Sequence, residues 1–129
     1  MKKIAVYGSL KKGFHNHRLI EASTFIKEAV VELPYKMISL GGFPGLIQDE
    51  VKEDKVSELE VLNCNLNPIH IEIYEVDDQT YKSVERLEGY PRFYDKHIFE
   101  FEGDQLEIYV LNENNKKYNN CKLIEGGNW

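Results

Sequence analysis

Residues 69–76 constrain the fold of this chain most, because three isoleucines alternate with His70, Glu72 and Tyr74 along them. Successive side chains of a β-strand point to opposite sides, so Ile69, Ile71 and Ile73 share one face of a strand. His70 then belongs to the other face. The stretch is therefore predicted to be a strand within a sheet, and the remaining strands are expected to assemble around it.

A helix is predicted immediately after this strand. Asp77 or Asp78 caps its start, and apolar residues recur at helical spacing up to Leu87. Gly89 and then Pro91 end it, because glycine favours the left-handed turn after a helix and proline cannot continue one. Glu88 is consequently expected in the last helical turn.

Further alternating or β-branched runs predict the other strands. They cover residues 4–7, 24–40 with a break at Pro34, 46–47, 56–62, 94–101 and 105–111. The last two flank Gly103 and Asp104 and are expected to form a β-hairpin. A second, short helix is predicted to start from Asn16. Residues 41–45 and 63–68 are expected to be loops, and residues 112–120 a polar, mobile segment.

These elements amount to about six strands and one or two helices. The fold class predicted from them is α+β, with a curled, mostly antiparallel or mixed, barrel-like sheet. A chain of 129 residues is long enough for one ordinary domain and short for two, so a single domain over residues 1–129 is expected.

Charge and composition exclude several classes of protein. The net charge of −6 argues against a nucleic-acid partner, and the longest apolar runs are too short to cross a membrane. The two cysteines, Cys64 and Cys121, have neither the number nor the spacing of a disulfide framework or a zinc site. The start of the chain lacks the apolar core of a signal peptide. A cytoplasmic protein is expected, and its oligomeric state stays open.

Four segments form a pattern that spans almost the full chain. They are Val6–Gly13 (VYGSLKKG), Gly41–Leu46 (GGFPGL), Ile73–Tyr94 (with LEGYP inside it) and Gly126–Trp129 (GGNW). In this order and spacing they resemble the γ-glutamylcyclotransferase-like superfamily, particularly its small γ-glutamylamine cyclotransferase branch. The chain departs from the family pattern in four places. The stretch of residues 48–68 is longer than in the compact members, and no glycine stands near Ile71, where one is usual. Lys96 stands where an arginine is frequent, and Asn128 stands where an aspartate is common.

The resemblance implies an enzyme that closes a γ-glutamyl group on itself. The α-amine of the substrate attacks its own γ-carbonyl, and 5-oxoproline and a free amine or amino acid are released. No metal or cofactor is implied. Glu88 is implied as the acid–base residue, and the helix end together with partial burial is expected to raise its pKa. As an alternative, Glu88 is an ordinary surface residue at a helix end.

The resemblance also implies a substrate-binding set, which is Tyr7, Gly8, Ser9, Leu10, Phe43, Pro44 and Tyr94. Backbone N–H groups that leave a strand through Gly8 can converge on an anionic group. Phe43 and Pro44 are expected to shape a pocket wall. Tyr94 is expected to hydrogen-bond to the substrate or to orient Glu88, with an ordinary core position as the alternative.

Two other functions stay open on the sequence. One is a non-catalytic ligand-binding or regulatory module that keeps the fold and the pocket, which the departures at Lys96 and Asn128 motivate. The other is the same reaction on a γ-glutamyl group that is attached to a protein lysine or to a carrier.

Overall fold

The computed structural model describes residues 2–48, 66–112 and 121–129. Its strands are β1 (Lys2–Val6), β2 (Thr24–Leu33), β3 (Tyr35–Ser39), β4 (Pro44–Gln48), β5 (Asn67–Val76), β6 (Tyr94–Phe101), β7 (Asp104–Leu111) and β8 (Lys122–Leu123). One α-helix, α1 (Asp78–Glu88), and two 3₁₀ turns, His17–Leu19 and Glu125–Gly127, complete the described elements.

The strands form two sheets. The larger has the order β2-β5-β1-β7-β6, and the smaller has the order β4-β3-β8. All pairs are antiparallel except β1 with β7, which is parallel. The predicted α+β class with a mostly antiparallel, mixed sheet is confirmed. The larger sheet does not close, because β2 and β6 stay at its opposite edges.

The larger sheet buries residues on both of its faces. Ile69, Ile71 and Ile73 of β5 belong to one apolar core, which the smaller sheet also lines. Tyr74 and Val76 of the same strand belong to a second core, which lies on the side of α1. The alternation of residues 69–76 was therefore interpreted correctly, and each half of the pattern packs into its own core.

Helix α1 starts and ends where the sequence predicts. The Asp77 side chain accepts a hydrogen bond of 2.7 Å from the backbone N–H of Thr80, which makes Asp77 the N-cap. Gly89 adopts the left-handed conformation, with φ of 65°. The N–H of Tyr90 reaches the carbonyl of Glu85, a bond that closes the last turn. No helix within the described ranges is long and apolar enough to span a membrane.

Some boundaries differ from the prediction. The hairpin of β6 and β7 is confirmed, but its turn residues are Glu102 and Gly103, both with positive φ, while Asp104 already pairs with β6. Asn67 and Pro68 were expected in a loop and instead extend β5, because they pair with the end of β2. The strand predicted at 56–62 and most of the polar segment at 112–120 lie outside the described residues.

Candidate active site

A cavity of about 270 Å³ lies where the end of α1, the turn after β1 and the start of β4 meet. It brings together every residue that the sequence predicts for the site: Tyr7, Gly8, Ser9, Leu10, Phe43, Pro44, Glu88 and Tyr94. The seven other lining residues are Ala5, Val6, His15, Asn16, Leu87, Phe93 and Tyr109. Four segments that are distant in the sequence thus form one concave surface.

Glu88 is the acidic residue among the side chains that line this cavity. It is the last residue of α1, and the left-handed Gly89 turns the chain away directly after it. Burial raises the pKa of Glu88 from its ordinary 4.5 to about 7. No salt bridge neutralises its carboxylate within the described part of the chain. The rise in pKa that the sequence predicts is therefore present, and its physical cause is desolvation.

Two buried tyrosines hold the cavity walls in place. The Tyr7 hydroxyl donates a hydrogen bond of 2.6 Å to the backbone carbonyl of Tyr109, which ties the turn after β1 to β7. The Tyr94 hydroxyl donates one of 2.7 Å to the carbonyl of Pro44, which ties the start of β4 to β6. Burial first, and then the electrostatic influence of Tyr94 and Glu88, raises the pKa of Tyr7 well above its usual value. Both hydroxyl protons are therefore used in hydrogen bonds to the protein backbone.

At Gly8 the turn after β1 packs tightly against Pro44, which lines the same cavity. A Cβ atom on Gly8 would lie 2.8 Å from Cγ and 2.9 Å from Cδ of Pro44, closer than side chains approach each other. Glycine is needed here for that close approach. The turn after β1 and Pro44 are consequently in direct contact.

Asn16 braces the same turn. Its side-chain amide donates a hydrogen bond of 2.9 Å to Oγ of Ser9, and its backbone N–H donates one of 3.0 Å to the Ser9 carbonyl. The helix predicted from Asn16 is only the single 3₁₀ turn His17–Leu19, and the Asn16 side chain makes no capping bond to it. Carbonyl oxygens and a hydroxyl hold the turn together, an arrangement compatible with N–H groups that point at a ligand.

Lys96, a departure from the family pattern, lies in a polar cluster beneath α1. Its ammonium group donates hydrogen bonds of 2.6 Å to Glu85 and of 2.6 Å to the Tyr81 hydroxyl. It also lies 4.1 Å from the centre of the Tyr90 ring. Burial opposes the charged form, but these bonds raise the pKa of Lys96 above its usual range. Lys96 therefore neutralises Glu85, a pairing that the sequence did not reveal.

Asn128, the other departure, lies outside the cavity. It accepts a hydrogen bond of 3.1 Å from the ammonium group of the buried Lys11. Lys11 also donates to the backbone carbonyl of Trp129, at 3.2 Å. The amide oxygen of Asn128 thus supplies the acceptor that an aspartate would supply. The described residues contain no group of three or more His, Cys, Asp and Glu side chains that could hold a metal ion.

The chain is similar to one known protein family and to proteins from other organisms. A family model described as "Gamma-glutamyl cyclotransferase, AIG2-like" matches residues 4–129. A protein of Vibrio cholerae, provisionally named a gamma-glutamylcyclotransferase, is 25% identical over 126 residues, covering 98% of this chain and 93% of that protein. A protein of Methanocaldococcus jannaschii with the same provisional name is 34% identical over 95 residues, covering 73% of this chain and 67% of that protein.

Solved structures share the fold at low sequence identity. An AIG2-like protein from mouse has a TM-score of 0.68 at 22% identity, covering 98% of this chain and 87% of that chain. The uncharacterized protein PH0828 from Pyrococcus horikoshii has a TM-score of 0.72 at 20% identity, covering 99% of this chain and 89% of that chain. At these identities the likeness concerns the fold alone.

Proposed function

The chain belongs to the gamma-glutamyl cyclotransferase, AIG2-like, family, and from that premise we propose that it is a γ-glutamyl cyclotransferase. In the proposed reaction the α-amine of a small γ-glutamyl compound attacks the γ-carbonyl of the same molecule. A new C–N bond closes the five-membered ring of 5-oxoproline, and the original amide C–N bond breaks. The released product is a free amine or amino acid.

The position of Glu88 in the wall of the cavity is the observation that carries this proposal. The group lines the cavity, and burial raises its pKa to about 7. Near neutral pH such a carboxyl is populated in both its ionised and its protonated form. A general acid–base residue works best when its pKa lies close to the working pH. An ordinary surface glutamate would remain ionised and be a weaker base.

Glu88 accounts for the proton transfers of the proposed reaction. The α-amine arrives as an ammonium group, and ionised Glu88 removes a proton from it so that the nitrogen lone pair can attack. The protonated Glu88 then gives that proton to the leaving nitrogen when the amide bond breaks. The attacking nitrogen loses a second proton as it becomes the amide N–H of 5-oxoproline, and this proton converts the released amine to its ammonium form. Such transfer contributes roughly 10²- to 10⁴-fold to the rate. Holding both reacting groups of one molecule in contact lowers the barrier by up to about 7–11 kcal/mol.

In this proposal the turn of Tyr7, Gly8, Ser9 and Leu10 binds the anionic part of the substrate. Its N–H groups would hold the α-carboxylate or the oxyanion that forms on the γ-carbonyl. The bonds from Asn16 to Ser9 keep this turn rigid, which is a condition for a preorganised donor set. Phe43 and Pro44 form the opposite wall.

The mechanism assigns each step to Glu88 and to backbone donors, so the proposal includes neither a metal nor an organic cofactor. The proposed partner is a small γ-glutamyl compound, and the proposed location is the cytoplasm, as the sequence led us to expect. A non-catalytic module with the same pocket is the competing hypothesis, and the experiment below separates the two.

The test compares the wild type with Glu88→Gln and with Glu85→Gln as the matched control. Each protein is incubated with glutathione, γ-glutamyl dipeptides and γ-glutamyl-ε-lysine, and 5-oxoproline is measured by mass spectrometry. We expect product from the wild type and the control, and at least 10²-fold less from Glu88→Gln. Circular dichroism establishes that all three proteins are folded.

Two outcomes contradict the proposal. Undiminished product from folded Glu88→Gln would remove Glu88 from the mechanism. Ligand binding without product in the wild type, and with an affinity that Glu88→Gln leaves unchanged, would favour the non-catalytic module.

A further inference from the structure

The Tyr109 hydroxyl group is a buried donor that no described residue satisfies. The residue is only 3% exposed, and its hydroxyl oxygen has no hydrogen-bond partner within the described ranges. Buried polar groups in proteins are nearly always paired, and each exception calls for an explanation. Phenylalanine would fill the same space without an unpaired group. The Tyr109 hydroxyl is therefore expected to form a hydrogen bond when a neighbouring group changes its charge or when a ligand occupies the cavity.

The position of Tyr109 directs its ring toward the active site. Its neighbours Ile108 and Val110 pack into the core on the far face of the sheet, while Tyr109 packs into the core on the side of α1. Tyr109 also lines the same cavity as Glu88. The cross-strand partner of Tyr109 on β6 is Lys96. The hydroxyl is thus enclosed between the sheet and the helix that carries Glu88.

Several charged or titratable groups surround this space: Tyr81, Glu85 and Glu88 on α1, Tyr94 and Lys96 on β6, Glu107 on β7, and Tyr7 and His15 beside the turn after β1. Lys96 already binds both Tyr81 and Glu85. Burial, followed by the electrostatic influence of Tyr81, Glu85, Glu88 and Glu107, raises the pKa of Tyr109 above its usual range. The hydroxyl consequently stays protonated and remains a donor.

Two carboxylates are candidates to accept its proton. Glu107 has one buried oxygen without a partner and lies two residues away on the same strand. Glu88 lines the cavity together with Tyr109, and no cation neutralises it within the described residues. Glu88 is also the group whose charge changes during the proposed reaction. A hydroxyl donor binds an ionised carboxylate more strongly than a neutral carboxyl, so a bond from Tyr109 would favour the ionised form of Glu88.

We propose that Tyr109 is a positioning residue for Glu88, and that its hydroxyl donates a hydrogen bond, directly or through one water molecule, to the ionised Glu88 carboxylate. A hydrogen bond to the charged form of an acid favours that form. Tyr109 therefore limits the rise in the pKa of Glu88 that burial causes. The carboxyl stays partly ionised near neutral pH and can act as a base. The kinetic consequence rests on the proposed function, whereas the hydrogen bond itself does not.

The first experiment needs no turnover. The side-chain carboxyl of Glu88 is titrated by carbon-13 NMR in the ligand-free wild type, in Tyr109→Phe and in Tyr81→Phe. We expect the midpoint of Glu88 to rise by about one pH unit in Tyr109→Phe, because its charged form loses a donor. We expect little change in Tyr81→Phe, because the Tyr81 hydroxyl accepts a hydrogen bond from Lys96 and also hydrogen-bonds to Glu107. Tyr109→Met, which also lacks a donor, provides a second measurement.

The proposal is overturned if the midpoint of Glu88 stays at its wild-type value in folded Tyr109→Phe. It is equally overturned if only Glu107 shifts, because Tyr109 would then serve its neighbour on β7. Either result can be read whether or not the protein is an enzyme. Absence of 5-oxoproline from the wild type would contradict the proposed function alone.

If turnover is found, the rate as a function of pH gives an independent readout. The acidic limb of kcat/KM should move upward in Tyr109→Phe by the same amount as the NMR midpoint. At pH 7 the rate should be roughly fivefold lower, since a smaller fraction of Glu88 is ionised. A uniform loss at every pH, with an unmoved limb, would indicate a merely structural effect and overturn the proposal.

Discussion

Glu85 and Glu88 lie three residues apart on the same helix, yet their surroundings have opposite effects. Glu85 accepts a hydrogen bond of 2.6 Å from Lys96, so its charge is neutralised where it is partly buried. Glu88 lines the cavity among aromatic and proline side chains, and burial raises its pKa to about 7. Glu85 thus belongs to an ion pair, whereas Glu88 has a raised pKa.

The difference shows what a nearby cation does to a buried carboxyl. Burial alone disfavours the charged form, whereas a cation within hydrogen-bond distance restores it. The position of Lys96 on β6, close to Glu85, thus decides which of the two carboxyls keeps an ordinary charge. The three predictions that follow alter one side of this contrast at a time.

The largest expected effect is on the pH dependence of stability. The pKa of Glu88 is higher in the folded protein than in the unfolded chain, so folding takes up a proton between about pH 4.5 and pH 7. Stability should therefore fall as the pH rises through this window, by up to roughly 3 kcal/mol. Glu88→Gln should lose this contribution, as urea unfolding at pH 5 and pH 8 can measure.

Glu85→Gln is the control for that experiment, and it should keep the wild-type difference between the two pH values. Equal pH dependence in the wild type and in Glu88→Gln would contradict a raised pKa at Glu88.

A smaller effect is expected when Glu85 loses its cation. Lys96→Met leaves the Glu85 carboxylate partly buried and unpaired, so the protein should lose about 2 kcal/mol at pH 8. Urea unfolding at pH 8 measures this loss.

Lys27→Met is the matched control, because Lys27 forms a more exposed ion pair with Glu102 at 2.8 Å. Exposed pairs contribute about 0–1 kcal/mol, so this variant should change little. Equal losses of stability in Lys96→Met and Lys27→Met would show that the pair of Lys96 and Glu85 stabilises the protein no more than the exposed pair does.

The smallest effect is expected when a cation is placed near Glu88. Leu87 lines the cavity and is 41% exposed, so Leu87→Lys adds a positive charge at its mouth. We expect the pKa of Glu88 to fall by a few tenths of a unit at low salt, and by less in salt of about 1 M. Leu123→Lys, an exposed site on β8, is the control. An equal shift in both variants, or one that does not depend on salt, would contradict a local electrostatic origin.

Much of the fold could be predicted because local signals decide it. The Asp77 cap and the Gly89 stop of α1 are short-range hydrogen-bond and backbone effects, and the alternation of residues 69–76 is a property of the strand itself. The extension of β5 to Asn67 could not be predicted, because it results from pairing with Leu33 on β2, far away in the sequence.

The candidate site shows the same division. Its eight predicted residues lie around one cavity, because the motifs that suggested them mark a strand end, a glycine–proline turn and a helix end. Tyr109 was not predicted as a site residue, because it belongs to none of the sequence motifs. The one signal that pointed to it is the alternation of β7, which places Tyr109 opposite Ile108 and Val110. Its unpaired hydroxyl becomes visible only after packing.

The sequence by itself therefore determined the strand–helix order, the caps of α1, the resemblance to the family and the position of Glu88 at a helix end. These properties depend on neighbours along the chain. Only the tertiary structure decided that Lys96 neutralises Glu85 while Glu88 is left with aromatic walls. The electrostatic state of a carboxyl depends on which distant groups enclose it, because desolvation and ion pairing act through space and not along the chain.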